Sequence, residues 1–133
     1  MNFLKKSKWF LIVVVFLFIA GCLFITFDNR NFLKYGALHI SKVPKSLKII
    51  NYNIRGLTDQ EYQYYISVEP AEFGQLLIGR TYIKQPGKNG LIATPPDEFP
   101  VNECYTSGNL KSGLVSIFVN ANKSQAYVIY LID

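Results

Sequence analysis

One stretch of this sequence decides most of what the chain can be. Trp9 to Phe27 is a run of 19 residues without a single charge. Wound as a helix at about 1.5 Å per residue, the run is roughly 30 Å long, the thickness of a bilayer's hydrocarbon core. Lys5, Lys6 and Lys8 precede it, and Asp28 and Arg30 follow it. Basic residues near a span stay on the cytoplasmic side, which predicts Met1 inside and everything after Phe27 outside. The expectation is an N-terminal membrane segment, Trp9 to Phe27, within a leader of residues 1–27. Membrane lipid is then the chain's first partner.

The leader also distorts the bulk composition. Half the residues are apolar, mean hydropathy is +0.15 and the pI is about 9.2. The three leader lysines account for +3 of the formal +5. From Asp28 onward there are 11 basic and 9 acidic residues. The basic pI therefore describes the leader, and the rest of the chain offers no electrostatic footprint for nucleic acid.

A second pattern lies inside the apolar run: Ile19-Ala20-Gly21-Cys22, after an apolar stretch from Trp9 to Ile19 and the lysines before it. It resembles the lipobox of bacterial lipoproteins, an aliphatic residue, two small residues and a cysteine. The resemblance implies cleavage before Cys22 and lipidation of its thiol. The residues after it, Leu23-Phe24-Ile25-Thr26-Phe27, are bulkier and more apolar than a mature lipoprotein's usual start. The other reading keeps Cys22 as a small residue inside an uncleaved signal anchor. Both readings put residues 28–133 outside the cytoplasm. Of the two cysteines, Cys22 belongs to the membrane or to lipid, so no internal disulfide with Cys104 is expected. Cys104 reads as a buried, inert thiol or as one half of an intermolecular disulfide.

Residues 28–43 read as a juxtamembrane connector, a short helix or an extended stalk. Phe32, Tyr35 and Leu38 recur in it at about helical spacing. Residues 44–133 read as one extracytoplasmic α+β domain. Leu47–Arg55 and Glu61–Glu69 alternate apolar and polar side chains around a turn at 56–59, which predicts a hairpin. Pro70 opens a helix whose stripe is Phe73, Leu76 and Leu77, with Gly79 as its stop. Residues 84–113, rich in Pro, Gly, Asn and Asp, read as a long loop with a short strand at 91–93. Leu114–Val119 and Ala126–Ile132 are a second hairpin, rich in Val, Ile, Tyr and Phe. The predicted order is β-β-α-loop-β-β: an antiparallel sheet of four or five strands with one short helix on a face. Pro44-Lys45-Ser46, Asp59 between the first two strands and Val68-Glu69-Pro70 before Phe73 and Leu76-Leu77 are similar to small anchored bacterial proteins with no assigned function. That similarity implies no active site.

The chain is poor in catalytic groups. His39 is its one histidine, and with two cysteines it makes no zinc set, so no metal and no cofactor are expected. The close carboxylate pairs, Asp59/Glu61, Glu69/Glu72 and Asp97/Glu98, each have a local reading as turn, helix start or solvated loop. The tyrosines stand out. Tyr62, Tyr64, Tyr65, Tyr127 and Tyr130 all fall on predicted strands and form a candidate contact surface, with Tyr65 facing opposite to Tyr62 and Tyr64 by alternation. The expected function is a non-catalytic binding module of the bacterial envelope with a protein partner there. An immunity-type protein that blocks a toxin is one alternative. An envelope enzyme using carboxylates or Cys104 is the other.

Overall fold

A computed structural model describes residues 2–56, 60–87, 94–109 and 113–132, with side chains described outside 2–6 and 24–29. It divides into two compact units, Met1–Phe32 and Leu33–Asp133. The first is a single helix, α1, Asn2–Asn31. Its described apolar side chains are exposed, from 46% for Val14 to 73% for Phe18. Among the described residues no helix is long and apolar enough to cross a membrane, so the expected span is not shown. Its last residues, up to Phe27, lie outside the described side chains.

The second unit is α+β. Among the described residues it contains one antiparallel sheet of six strands: β1 (Lys48–Arg55), β2 (Gln60–Ser67), β3 (Ile83–Pro86), β4 (Glu103–Asn109), β5 (Gly113–Val119) and β6 (Gln125–Ile132). Their spatial order is β1-β2-β6-β5-β4-β3. The two expected hairpins are present. The expected strand count is corrected from four or five to six, because β3 and β4 lie at the two ends of the predicted loop and pair with each other (Ile83 opposite Thr106, Pro86 opposite Glu103). The short strand expected at 91–93 and the turn at 57–59 lie outside the described residues.

Register sorts the side chains onto two faces. Tyr64, Val128 and Ile117 stand in one row, and Ile66, Ala126 and Val119 in the next; all six are buried. The 3-10 helix Pro70–Leu77 packs on this face, with the Phe73 ring 5.7 Å from that of Tyr105. An i, i+3 period suits a 3-10 helix better than an i, i+3, i+4 stripe. Phe73 and Leu76 are accordingly buried, and Leu77 is only half-buried. The opposite face carries a second cluster, Phe99, Cys104, Phe118 and Ile129, with Tyr65, Val101 and Tyr127 against it. The segment around Phe99 thus covers the face that the helices leave open.

The expected connector is also corrected. A π-helical segment, Phe32–Leu38, buries Leu33, Ala37 and Leu38, and Ile40 follows them into the core. The wider winding of a π-helix moves the buried stripe to 33, 37 and 38. Tyr35, part of the expected stripe, is exposed instead. The unit therefore begins at Leu33 and not at Pro44. Arg80 secures the segment: Nε donates to the Ala37 carbonyl at 2.7 Å and Nη2 to the Gly36 carbonyl at 3.2 Å. These are orphan acceptors at a helix end, where a cation is favoured. The same guanidinium lies over the Tyr130 ring, 5.7 Å from its centroid.

Gly79 allows this docking. A methyl group there would fall inside contact distance of the Leu38 and His39 carbonyl oxygens. Both are backbone atoms and cannot swing aside. Gly79→Ala should cost about 3 kcal/mol, at the upper end of overpacking losses. Gly74→Ala is the control, because a methyl group at 74 meets nothing within 4 Å. Thermal unfolding should separate the two by roughly 12–24 °C. Equal melting temperatures would mean that the 32–40 segment does not rest on Gly79.

Candidate functional site

A concave surface lies on the Phe99 face, where β1 and β2 run past the end of the aromatic cluster. On β1, Asn51, Asn53 and Arg55 follow one another at every second residue, so all three point to this face. Across the ladder, Asn51 stands opposite Tyr65, Asn53 opposite Gln63 and Arg55 opposite Glu61. One strand further, Tyr127 stands beside Tyr65. Asn51, Asn53, Arg55, Gln63, Tyr65 and Tyr127, together with Tyr52 and Pro96, line a cleft of about 190 Å³. Asn51, Asn53 and Arg55 are exposed; Gln63, Tyr65 and Tyr127 are half-buried.

The cleft's aromatic end is firmly built. Tyr65 and Tyr127 stack at 4.8 Å with their planes 8° apart. Phe99 meets both edge-on, at 5.9 and 5.0 Å. Burial is the main cause that raises the Tyr127 pKa, with Tyr65 and Glu98 adding to it, so its hydroxyl stays protonated and able to donate. Gln63 Nε2 donates to Glu61 Oε1, and Asn51 Oδ1 accepts from the Tyr52 amide at 2.9 Å. The lining thus carries three carboxamides with capacity left over and one guanidinium, with the Glu61 carboxylate just outside it. No protein-family model, curated protein or solved structure matches this chain. The cleft has to be read from its own chemistry.

The structure divides the five tyrosines of the expected contact surface. Tyr62, Tyr64 and Tyr130 lie on the helix-covered face, and Tyr64 and Tyr130 are buried there. Tyr64 stacks on Tyr52 at 6.4 Å, and Tyr62 lies 6.3 Å from Tyr130. Only Tyr65 and Tyr127 reach the cleft. The five therefore form two separate groups on opposite faces, because paired residues of adjacent strands share a face while neighbours in sequence do not. The amide residues of the cleft carry no signal of their own in the sequence. Asn51, Asn53 and Arg55 read there only as the solvent side of a strand.

A second polar cluster sits on the helix face. Glu103, 8% exposed, lies 2.8 Å from Lys84 Nζ and 3.2 Å from Lys123 Nζ. The Tyr105 hydroxyl donates to it at 2.7 Å. The hydrogen bond from Lys84 is the largest of the influences that hold the Glu103 carboxyl down at about 2. Burial, and then the bond to Glu103, push Tyr105 up to about 12. Glu103, Tyr105 and Lys84 are each pushed further from titration at neutral pH, so the cluster is poised to hold β3, β4 and the 120–124 turn together and not to exchange protons.

The remaining candidates are dispersed. Cys104 is fully buried and burial alone pushes its thiol up to about 11, so the thiolate that a nucleophile or disulfide requires is scarce. Glu72 accepts from the Ser46 amide at 2.9 Å and from the Ser46 hydroxyl, which in turn accepts from the Glu69 amide. The Ser46 hydroxyl is the main cause of its lowered pKa, and the carboxylate serves as a clasp on the 3-10 helix. Asp97 and Glu98 sit in the turn that Phe99 closes by bonding to the Pro96 carbonyl. Asp59 lies outside the described residues. His39 is exposed and takes the left-handed conformation that ends the π-helical segment, φ 54°. Cys22 lies exposed on α1. Among the described residues no three His, Cys, Asp or Glu side chains are grouped to hold a metal.

Proposed function

We propose that this chain is a membrane-anchored binding module of the bacterial envelope, held by α1 with residues 33–133 outside the cytoplasm. The observation that carries the reading is the apolar surface of α1. From Trp9 to Leu23 its large apolar side chains are exposed around the helix. A helix that is apolar all round requires apolar surroundings, and the lysines before it favour a bilayer with Met1 on the cytoplasmic side. In the lipoprotein form, cleavage before Cys22 would leave lipid on that residue as the anchor in place of the helix, while the anchor form keeps the helix whole. The second unit contributes the cleft, in which side chains able to bind are mounted on strands and backed by packed aromatics.

The test is a pair of fusions after Asp133. A phosphatase that folds only outside the cytoplasm should be active there, and a fluorescent protein that matures only inside should stay dark. The reverse pattern would sink the envelope address and reopen a cytoplasmic role for the domain.

A further inference from the structure

We infer that the Asn51–Asn53–Gln63–Tyr65–Tyr127 cleft binds a neutral oligosaccharide. This rests on reading the second unit as a binding module. Arg55 is the one charged residue in the lining, and Glu61, just outside it, stands opposite Arg55 in the ladder and offsets its charge. A site built for phosphate or carboxylate would gather several cations, and this one holds a single guanidinium with a carboxylate beside it.

Each of the three carboxamides carries both donors and an acceptor. A row of vicinal hydroxyls, each donor and acceptor at once, is the ligand that uses both. Apolar area for the C–H faces of sugar rings comes from Tyr65, Tyr127 and Pro96 along one side. The Tyr127 hydroxyl, kept protonated, adds a donor.

Shape agrees with this. Asn51, Asn53 and Arg55 extend for about 13 Å along β1, since residues two apart on a strand are about 6.6 Å apart. A linear chain of pyranose rings can lie along such a row. The cleft proper, about 190 Å³, takes one ring beside the tyrosines. The binding groups are held before any ligand arrives: Tyr65 and Tyr127 by each other and by Phe99, Gln63 by Glu61, and Asn51 by the Tyr52 amide. Asn53 is the clean variant. It is exposed, and among the described residues no backbone group is bonded to its side chain.

The experiment is a titration of the full chain in a detergent without a sugar headgroup, followed by the NMR signals of the side-chain amides. The probes are chitotetraose, cellotetraose and maltotetraose, with inorganic phosphate as the anionic arm. At least one tetrasaccharide should move the signals of Asn51, Asn53 and Gln63 at concentrations up to about 10 mM, beyond the weak end of specific binding. Asn53→Ala should weaken that binding about five- to tenfold, the worth of one or two hydrogen bonds. Asn102→Ala, an exposed amide outside the cleft, should leave it unchanged. The saccharide assignment is overturned if no tetrasaccharide moves these signals, or if Asn53→Ala binds as well as wild type. Phosphate moving the cleft signals while every sugar fails would also overturn it, but would leave the binding-module reading standing. The fusion experiment tests the envelope address independently of any ligand.

Discussion

A chain trimmed to residues 42–133 is expected to lose its cooperative thermal transition, whereas residues 33–133 should keep it. The trimmed chain lacks Leu33, Leu38 and Ile40, all nearly or fully buried. Burying each such side chain contributes about 1.5–3 kcal/mol, so the three together contribute about 5–9. That is as large as the whole net stability of roughly 5–10 kcal/mol expected of a small domain. Trimming also exposes the core surface that these side chains cover, and it strips the Ala37 and Gly36 carbonyls from Arg80. Near-ultraviolet circular dichroism through a thermal ramp reads the result. A sharp transition in both chains, at the same temperature, would mean that the segment before Lys42 is a passenger and that the sheet with its 3-10 helix is sufficient.

That boundary is also where the sequence was least legible. Helical spacing was visible in Phe32, Tyr35 and Leu38, but a π-helix turns its residues by a different angle, and the buried set became Leu33, Ala37 and Leu38. Proximity to the apolar run then made the segment look like a stalk. β1, β2, β5 and β6 were legible, because alternation or an apolar run marks each of them. β4 was not, because polar side chains fall on both of its faces: Glu103 shares the helix side with Tyr105 and Thr106 shares the Phe99 side with Cys104, so ECYTSGN shows neither alternation nor an apolar run although both faces are covered. The site followed the same logic. Strand parity separates Tyr65 from Tyr62 and Tyr64 in the sequence alone. Which tyrosines line a cleft depends on the partner strand and on the Pro96–Phe99 segment, and neither can be read from a single strand.

Glu103 is the residue that the sequence hid most completely, and its loss should be felt as pH dependence. In the folded unit its carboxyl is held at about 2, against an ordinary 4.5. A carboxyl with a lowered folded pKa stabilises the fold above its unfolded value and ceases to do so as pH falls toward the folded one. The shift alone would correspond to about 3 kcal/mol at 1.36 per pH unit. The lysines that produce part of it are 61% and 41% exposed, so solvent screening brings the expected contribution to about 2 kcal/mol. Glu103→Gln keeps an oxygen for the Tyr105 hydroxyl, removes the charge and replaces the oxygen that faces Lys84 with an amide donor. At pH 7 it should therefore be less stable by about 2 kcal/mol, a fall in melting temperature of roughly 8–16 °C. As pH is lowered from about 5 toward 2, wild type should lose this advantage and the two melting curves should converge. A gap that stays constant over that range would show that the amide disturbs packing rather than charge. A gap absent at pH 7 would show that desolvating the carboxylate costs as much as Lys84 and Lys123 return, as happens for many buried ion pairs.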